Sequence, residues 1–189
     1  MCKIFRMLIY SMNVSADGFV SDRDGDLNWS NPSDELFDFH LEQVSSHGAY
    51  IMGRRLYEIM RVWETDPSMR VSPPRAAFAD AWTALPKIVF STSLPRVDGN
   101  ARLAEGPLAD EIARALSTYD GEVAIGGPNL AAQAIELDLV DEFLMQRAPA
   151  IVGGGTRFFP ATDRPLQLEL VEARTFDSGV INERYRRVR

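Results

Sequence analysis

The chain of 189 residues contains a single cysteine, Cys2, and only two histidines, His40 and His47. One cysteine forms no internal disulfide, which fits a reducing, cytoplasmic setting. So few soft ligands cannot assemble a Cys/His zinc pattern or HExxH, and nothing else in the sequence signals a metal site. Basic tracts are also missing. The formal net charge is −7, so neither nucleic acid nor an anionic membrane is expected as a partner. No apolar run reaches transmembrane length, and that of the opening MCKIFRMLIYSM is too short for a signal peptide. GxGxxG and the P-loop pattern are both absent. With no repeat, low-complexity tract or linker, residues 1–189 read as one domain with a sizeable core.

What is present centres on GEVAIGGPNLAA, Gly121–Ala132. A short apolar run ends at Gly126-Gly127, and a helix-like segment starts at once with Pro128. Paired glycines let backbone approach a ligand closely, and a helix start offers unpaired N–H groups to an anion. An ordinary tight strand-to-helix turn would look the same from these residues alone.

The pattern elsewhere is repetitive in kind. Ile4–Val14 reads as a buried first strand, ending in Ser15-Ala16-Asp17-Gly18, with Phe19-Val20 a brief return. SDRDGDLNWS, Ser21–Ser30, is a polar loop carrying Trp29. Ser33 or Asp34 caps a helix whose apolar stripe is Leu36, Phe37, Leu41 and Val44. Ala49–Met52 is a short strand that ends at Gly53 and runs into a helix, Arg54–Met60. Asp66–Pro74 reads as a loop and Arg75–Ala84 as a helix. Lys87–Phe90 is another short strand, followed by Ser91-Thr92. Asn100–Ala104 is a minor strand and Pro107–Ser117 a helix. Beyond the glycine pair and its helix come a strand at Glu142–Ala148 and a flexible Gly153–Gly155 loop. Two long strands, Leu166–Phe176 and Val180–Val188, follow, joined by the hairpin signal Asp177-Ser178-Gly179. Alternating strands and helices followed by strand-rich sequence predict an α/β fold: a mostly parallel sheet, with an antiparallel C-terminal edge.

Parallel strands deliver their C-terminal ends to one crevice. Gly53-Arg54-Arg55, Ser91-Thr92 and Gly126-Gly127 would then meet there, with two glycine turns, two guanidinium groups and two hydroxyls. That set suits a dinucleotide carrying an extra phosphate.

The same stretches resemble a known superfamily. IMGRRLYE (Ile51–Glu58), VFSTSL (Val89–Leu94), AIGGPNLAAQ (Ala124–Gln133) and LVDEF with PAIVGGGTRFF (Leu139–Phe159) look like dihydrofolate reductase-like proteins. The nearest branch is that of the C-terminal reductase domain of bacterial riboflavin biosynthesis and its stand-alone relatives. SADGFV with DGDLNW (Ser15–Trp29) matches that branch's opening loop, so the likeness runs in order through nearly the whole chain. It implies a central, mostly parallel sheet with helices on both faces, NADPH bound across the strand ends, and often a homodimer.

Carried over residue by residue, the resemblance sets Gly53 against the cofactor phosphates. Arg54 pairs with the adenosine 2′-phosphate and Arg55 lies near the pyrophosphate. Ser91 and Thr92 lie beside the ribose phosphate, and Gly126, Gly127, Asn129 and Leu130 form the second pyrophosphate turn, commonly with a cis Gly-Gly bond. The backbone of Asn13 and Val14 holds the nicotinamide carboxamide. Leu56 stands where many members have Thr, removing a hydrogen bond worth about 0.5–1.5 kcal/mol. Pro128 replaces a third glycine of true dihydrofolate reductases and suits a first helical position.

For the chemistry, the run Trp29-Ser30-Asn31-Pro32-Ser33-Asp34 resembles the Trp-x-x-Pro-x-Asp of dihydrofolate reductases. Asp34 is thus a candidate proton donor and substrate ligand, with helix capping as its competing role. Asp17 is a second candidate, with turn formation as its alternative. Trp29 either walls the substrate pocket or pins its loop. The implied activity is NADPH-dependent reduction of a C=N or C=O group in a small heterocycle, pterin- or aminopyrimidine-like. The rivals are a non-catalytic nucleotide-binding module and a flavin nucleotide in the same cleft. No zinc deaminase motif accompanies the reductase-like sequence, so riboflavin synthesis itself is not implied.

Overall fold

A computed structural model describes residues 6–27, 29 and 32–189. Its centre is the strand β1 (Leu8–Ser15), flanked on one side by β6 (Glu122–Gly126) and on the other by β7 (Glu142–Ala148). Outward from β6 lie β3 (His47–Gly53), β4 (Lys87–Phe90) and β5 (Ala101–Leu103), and all of these pair in parallel. Outward from β7 lie β10 (Ile181–Arg187) and then β9 (Leu168–Thr175), each antiparallel to its neighbour. The eight-stranded order β5-β4-β3-β6-β1-β7-β10-β9 is the mostly parallel sheet with an antiparallel edge that the sequence predicts.

Short apolar strands such as Lys-Ile-Val-Phe are buried because both sheet faces are covered. On one face lie α5 (Leu108–Thr118) and α6 (Pro128–Glu136); Leu108, Ile112 and Ala115 fall on a single helical stripe and pack on Leu8, Tyr10 and Ile125. On the other lie α1 (Asp34–Ser46) and α4 (Pro73–Ala84), which pack on each other and contribute Phe37, Val44, Phe78 and Trp82 to a second core with Met52 and Val89. The Ser33 hydroxyl caps α1, accepting from the Leu36 N–H at 3.3 Å.

Lys87, only 2% exposed, opens β4. Its ammonium donates to the carbonyls of Trp82 (2.6 Å) and Leu85 (3.0 Å) and pairs with Glu64 at 2.9 Å. Burial pulls its pKa down, and the bonds to Glu64 pull it back up. With all three donors satisfied, it ties the C-terminal end of α4 to the start of the strand and to α3 (Val62–Thr65).

Three details depart from expectation. The stretch expected to be loop, Asp66–Pro74, holds a 3-10 turn at Pro67–Met69 closed by the Asp66 side chain. The glycine loop 153–155 does not run free: it leads into β8 (Thr156–Arg157), which pairs antiparallel with β2 (Phe19–Ser21). No cis peptide occurs among the described residues, so the expected cis Gly-Gly bond is not there. Gly127 makes the reversal instead, with φ of +89°, which only glycine adopts without strain. Gly126 stays in β6, where a Cβ would sit 2.3 Å from the Tyr50 hydroxyl. The N-terminal part of the expected first strand, residues 4 and 5, lies outside the described residues.

Candidate functional site

Because β3, β4 and β6 are parallel neighbours, Gly53, Ser91-Thr92 and Gly126-Gly127 arrive at one edge of the sheet. An outer cleft of about 660 Å³ opens there among Arg54, Ser91, Thr92, Glu105 and Gln133. It shares Gly53, Arg54, Asn129 and Leu130 with a middle cavity of about 250 Å³ that adds Arg55, Leu56, Gly127 and Pro128. A Cβ at Gly53 or Gly127 would meet nothing within 4 Å, so both turns present bare backbone to the cleft.

The two arginines are weakly committed. Among the described residues, Arg54 pairs only with Glu58 on the exposed helix face of α2 (Arg54–Met60), at 3.7 Å. Arg55 donates to the Gly25 carbonyl at a long 3.4 Å. The Ser91 oxygen accepts from the N–H groups of Ser93 (3.2 Å) and Leu94 (2.9 Å), which leaves its own proton available. The cleft therefore offers donors at Arg54, Arg55 and Ser91, with Glu105 the carboxylate among its described lining residues.

The middle cavity continues, through Met12, Leu56 and Ile59, into an inner chamber of about 200 Å³ beneath α1. Backbone geometry matters at its mouth. The Val123 N–H donates to the Met7 carbonyl at 3.0 Å, so odd-numbered residues of β1 direct their backbone groups toward β6. Pairing with β6 stops at Tyr10↔Ile125, whereas pairing with β7 continues to Ser15↔Ala148. The N–H and C=O of Asn13 thus face the gap left where β6 turns into α6.

The chamber floor carries Ser11, Asn13, Tyr50 and Gln146, the roof carries His40 and Gln43, and Trp63, Phe78 and Trp82 form the wall. Burial raises the Tyr50 pKa well above the phenol range and lowers that of His40 to about 4. Both are neutral near pH 7. No Asp, Glu, Lys or Arg lines the chamber among the described residues. Nor, among them, does any cluster of His, Cys, Asp and Glu suit a metal.

Of the residues read from sequence, Asn13, Gly53, Arg54, Arg55, Leu56, Ser91, Thr92, Gly127, Asn129 and Leu130 line this connected cleft. Gly126 lies buried behind it and Val14 faces the core. The two carboxylate candidates are corrected by geometry. Asp34 begins α1 with its side chain turned outward, accepting from the Ser72 hydroxyl at 2.8 Å and lying 3.6 Å from Arg75. Asp17 accepts from the Ser15 hydroxyl (2.7 Å) and from the N–H groups of Val152 (3.2 Å) and Gly153 (2.9 Å). The Ser15 bond leads these in lowering the Asp17 pKa, so this carboxylate holds the 152–153 backbone and no proton. Trp29 donates to the Asp26 carbonyl at 3.2 Å and packs beside Leu36, Phe39 and Phe176, away from the chamber lining.

Sequence reasoning missed Tyr50, Gln43, Trp82 and Gln146. Tyr50 had one available signal, a polar group within the otherwise apolar run Ala49–Met52, whereas Gln146 had none, sitting beside Arg147 in a strand that also carries Glu142. Gln43 and Trp82 stand out only once α1 and α4 are docked.

Comparison with known proteins agrees with this architecture. The protein YyaP of Bacillus subtilis, itself uncharacterized, is 26% identical over 182 residues, covering 93% of this chain and 92% of its own. A candidate riboflavin biosynthesis protein from Shewanella sp. PV-4 superposes with a TM-score of 0.75 at 23% identity, over 97% of this chain and 99% of the other. Dihydrofolate reductase from Enterococcus faecalis, in complex with NADP(H), superposes with a TM-score of 0.65 at 18% identity, over 97% of each chain. The fold is thus dihydrofolate reductase-like. The RibD C-terminal domain model matches residues 6–182, and the chain belongs to that family.

Proposed function

We propose that the protein is an NADPH-dependent reductase acting on a small heterocycle with a C=N or C=O group. The observation that carries this reading is one continuous cleft: a donor-rich outer part, with Arg54 and Arg55 where it meets the middle cavity, opens into an aromatic-walled chamber that no Asp, Glu, Lys or Arg lines among the described residues. Family membership and the likeness to an NADP(H)-binding reductase support it.

The parts take distinct roles. Arg54, at the junction of outer and middle cavities, pairs with the 2′-phosphate, and Ser91 and Thr92 donate beside it. Bare backbone at Gly53 and Gly127, with Arg55, holds the pyrophosphate. The Asn13 N–H and C=O, facing the gap beside β1, match a carboxamide's acceptor and donor. NADPH, when bound, supplies the hydride. The chain contributes position, since a reacting carbon must lie about 3–3.5 Å from its donor. It also contributes an aromatic-walled enclosure that no Asp, Glu, Lys or Arg lines among the described residues. The proton comes from solvent, because the described chamber residues offer no carboxyl.

Titration with NADPH and NADH, followed by nicotinamide fluorescence, tests the reading. Binding of NADPH at submillimolar concentration is expected; binding of neither cofactor overturns it. The lack of a described carboxyl in the chamber favours one second reading, a nucleotide-binding module without turnover. Intact NADPH binding with no oxidation across pterins, aminopyrimidines and simple imines would establish that alternative.

A further inference from the structure

Pairing between β1 and β6 stops at Tyr10↔Ile125, just short of the glycine turn. Continued at the same spacing, the ladder that joins the Val123 N–H to the Met7 carbonyl would bring the Gly127 N–H to the Ser11 carbonyl. Gly127 instead donates to the Met12 sulfur at 3.4 Å, and the Ser11 carbonyl accepts from the Tyr50 hydroxyl, also at 3.4 Å. The Tyr50 ring, on β3, reaches β1 because β6 between them has no side chain at Gly126. A Cβ there would stand 2.3 Å from the hydroxyl and 2.7 Å from Cε1. Gly126 thus makes room for the phenol.

This hydroxyl is loosely held. An O–H···O bond is ordinarily about 2.7–2.8 Å long, so the one to Ser11 yields readily to a better acceptor. Tyr50 also keeps part of its surface open, although β3 lies inside the sheet, and the inner chamber is the cavity it lines. Burial raises its pKa, so the phenol keeps its proton through the neutral range. Ser11 lies two residues before Asn13 on β1, about 7 Å along the strand. The hydroxyl therefore stands at the start of the gap toward which Asn13 directs its N–H and C=O.

Two histidines also line the chamber and could exchange a proton. His47 pairs in register with Glu122 at the start of β6, and its Nδ1 lies 3.6 Å from the Glu122 carboxylate. Four residues of strand, about 13 Å, separate that level from Gly126. His40 lies on the roof with its ring against Phe37, Phe39 and Phe78. Of the three groups, Tyr50 is the one that reaches the Gly126-Gly127 turn.

We infer that Tyr50 hands the proton to the reducible nitrogen or oxygen of the substrate, which makes it a catalytic residue. The inference rests on the reductase reading of the cleft. As the acceptor carbon takes a hydride from NADPH, the π pair of its C=N or C=O bond moves to the heteroatom. The Tyr50 O–H bond breaks while an N–H or O–H bond forms on that atom. NADPH is oxidised and the double bond reduced. The phenolate recovers a proton from water in the cleft, so solvent remains the ultimate source.

Two probes of one ring system separate the proton from the hydride: 3,4-dihydroisoquinoline, a neutral imine at alkaline pH, and its N-methyl iminium salt. The imine needs a hydride and a proton, the iminium a hydride alone. Tyr50→Phe keeps the ring against Trp82 and removes only the hydroxyl. Its kcat for the imine should fall about a hundredfold, while kcat for the iminium and the NADPH affinity stay within about threefold of the native values. A second readout needs no cofactor and uses protein with tyrosine isotopically labelled at Cζ. The Tyr50 resonance, identified by its loss in Tyr50→Phe, should move as dihydroisoquinoline draws the hydroxyl away from Ser11. The inference is overturned if both probes lose turnover equally, which would mark a structural role, or if imine turnover survives the substitution. It is also overturned if the native chain reduces the iminium but not the imine, or if a saturating imine leaves the Tyr50 resonance in place. A native chain that binds NADPH and reduces neither probe overturns the inference and leaves the cofactor cleft standing. Binding of neither NADPH nor NADH overturns the reductase reading itself, and the inference with it.

Discussion

Arg54 and Arg55 are neighbours in sequence but serve different parts of the cleft, because a helix turns about 100° per residue. Arg54 borders the outer and middle cavities, while Arg55 reaches toward Gly25 in the loop above the middle one. Both partners in the Arg54–Glu58 pair are about half exposed, so that pair is a weak competitor for an incoming phosphate. A hydrogen bond to a charged group is worth about 1.5–3 kcal/mol, so Arg54→Ala should weaken NADPH by roughly ten- to a hundredfold. NADH, lacking the 2′-phosphate, should change by less than about twofold. Parallel titrations of the two cofactors measure the difference. Equal losses would remove Arg54 from the 2′-phosphate and return it to the ordinary surface of α2.

The ribbon of β2 and β8 depends on a carboxylate that sequence alone offers equally as a catalyst. Asp17 accepts from the backbone N–H groups of Val152 and Gly153, and Arg23 donates to the Gly153 carbonyl at 2.8 Å, so both flanks of the ribbon clamp the glycine loop. Asp17→Ala should speed hydrogen exchange at Val152 and Gly153 and weaken NADPH a few-fold, since Ser21 and Thr156 line the middle cavity. It should leave turnover of saturated enzyme nearly unchanged, and Asp17→Asn should recover part of the loop's protection. Loss of a general acid costs about a hundredfold or more, so a fall of that size in kcat would restore Asp17 to the chemistry. This contrast shows what sequence can and cannot convey. Short apolar runs ending in glycine or hydroxyl residues made β3, β4 and β6, and the crevice at their ends, legible in advance. The two-residue β8 was not, because it exists only through pairing with β2. Nor was the chamber wall, since the direction of Asp34 follows from contacts with Ser72 and Arg75, on or just before a separate helix.

The sheet ends on β9, which is exposed along nearly its whole length and carries Leu170 and Val171 to solvent. An exposed edge strand with unpaired backbone groups invites pairing, even with Glu169, Glu172 and Arg174 along it, and the family resemblance implies a homodimer. Light scattering should give twice the chain mass, and a double change of Leu170→Glu with Val171→Glu should halve it; a monomer at micromolar concentration would remove this edge as an interface. Acid should test the folded chain in two adjoining windows. His40 is held neutral by burial, with a pKa of about 4 against 6.5 for the free side chain. Between those values the unfolded chain binds the extra proton, so the His40 contribution is complete above pH 6.5 and lost as the pH falls toward 4. Its upper limit is about 3 kcal/mol, reduced by the part of the ring that solvent reaches. Glu122 governs the next window. Burial opposes its charge, but His47, whose Nδ1 lies 3.6 Å away, and the Arg184 hydrogen bond at 2.8 Å outweigh that and lower its pKa to about 2 from 4.5. Arg184 also bonds Glu142, which Arg186 contacts at 2.9 Å, so the network joins β6, β7 and β10. Its stabilisation is present above pH 4.5 and disappears as the pH falls toward 2. Urea unfolding across this range should show stability declining from pH 6.5 downward. His40→Leu should flatten the upper window and leave the lower one intact. A native chain whose stability stays level from pH 7 to 4.5 would show that His40 is solvated in the folded state.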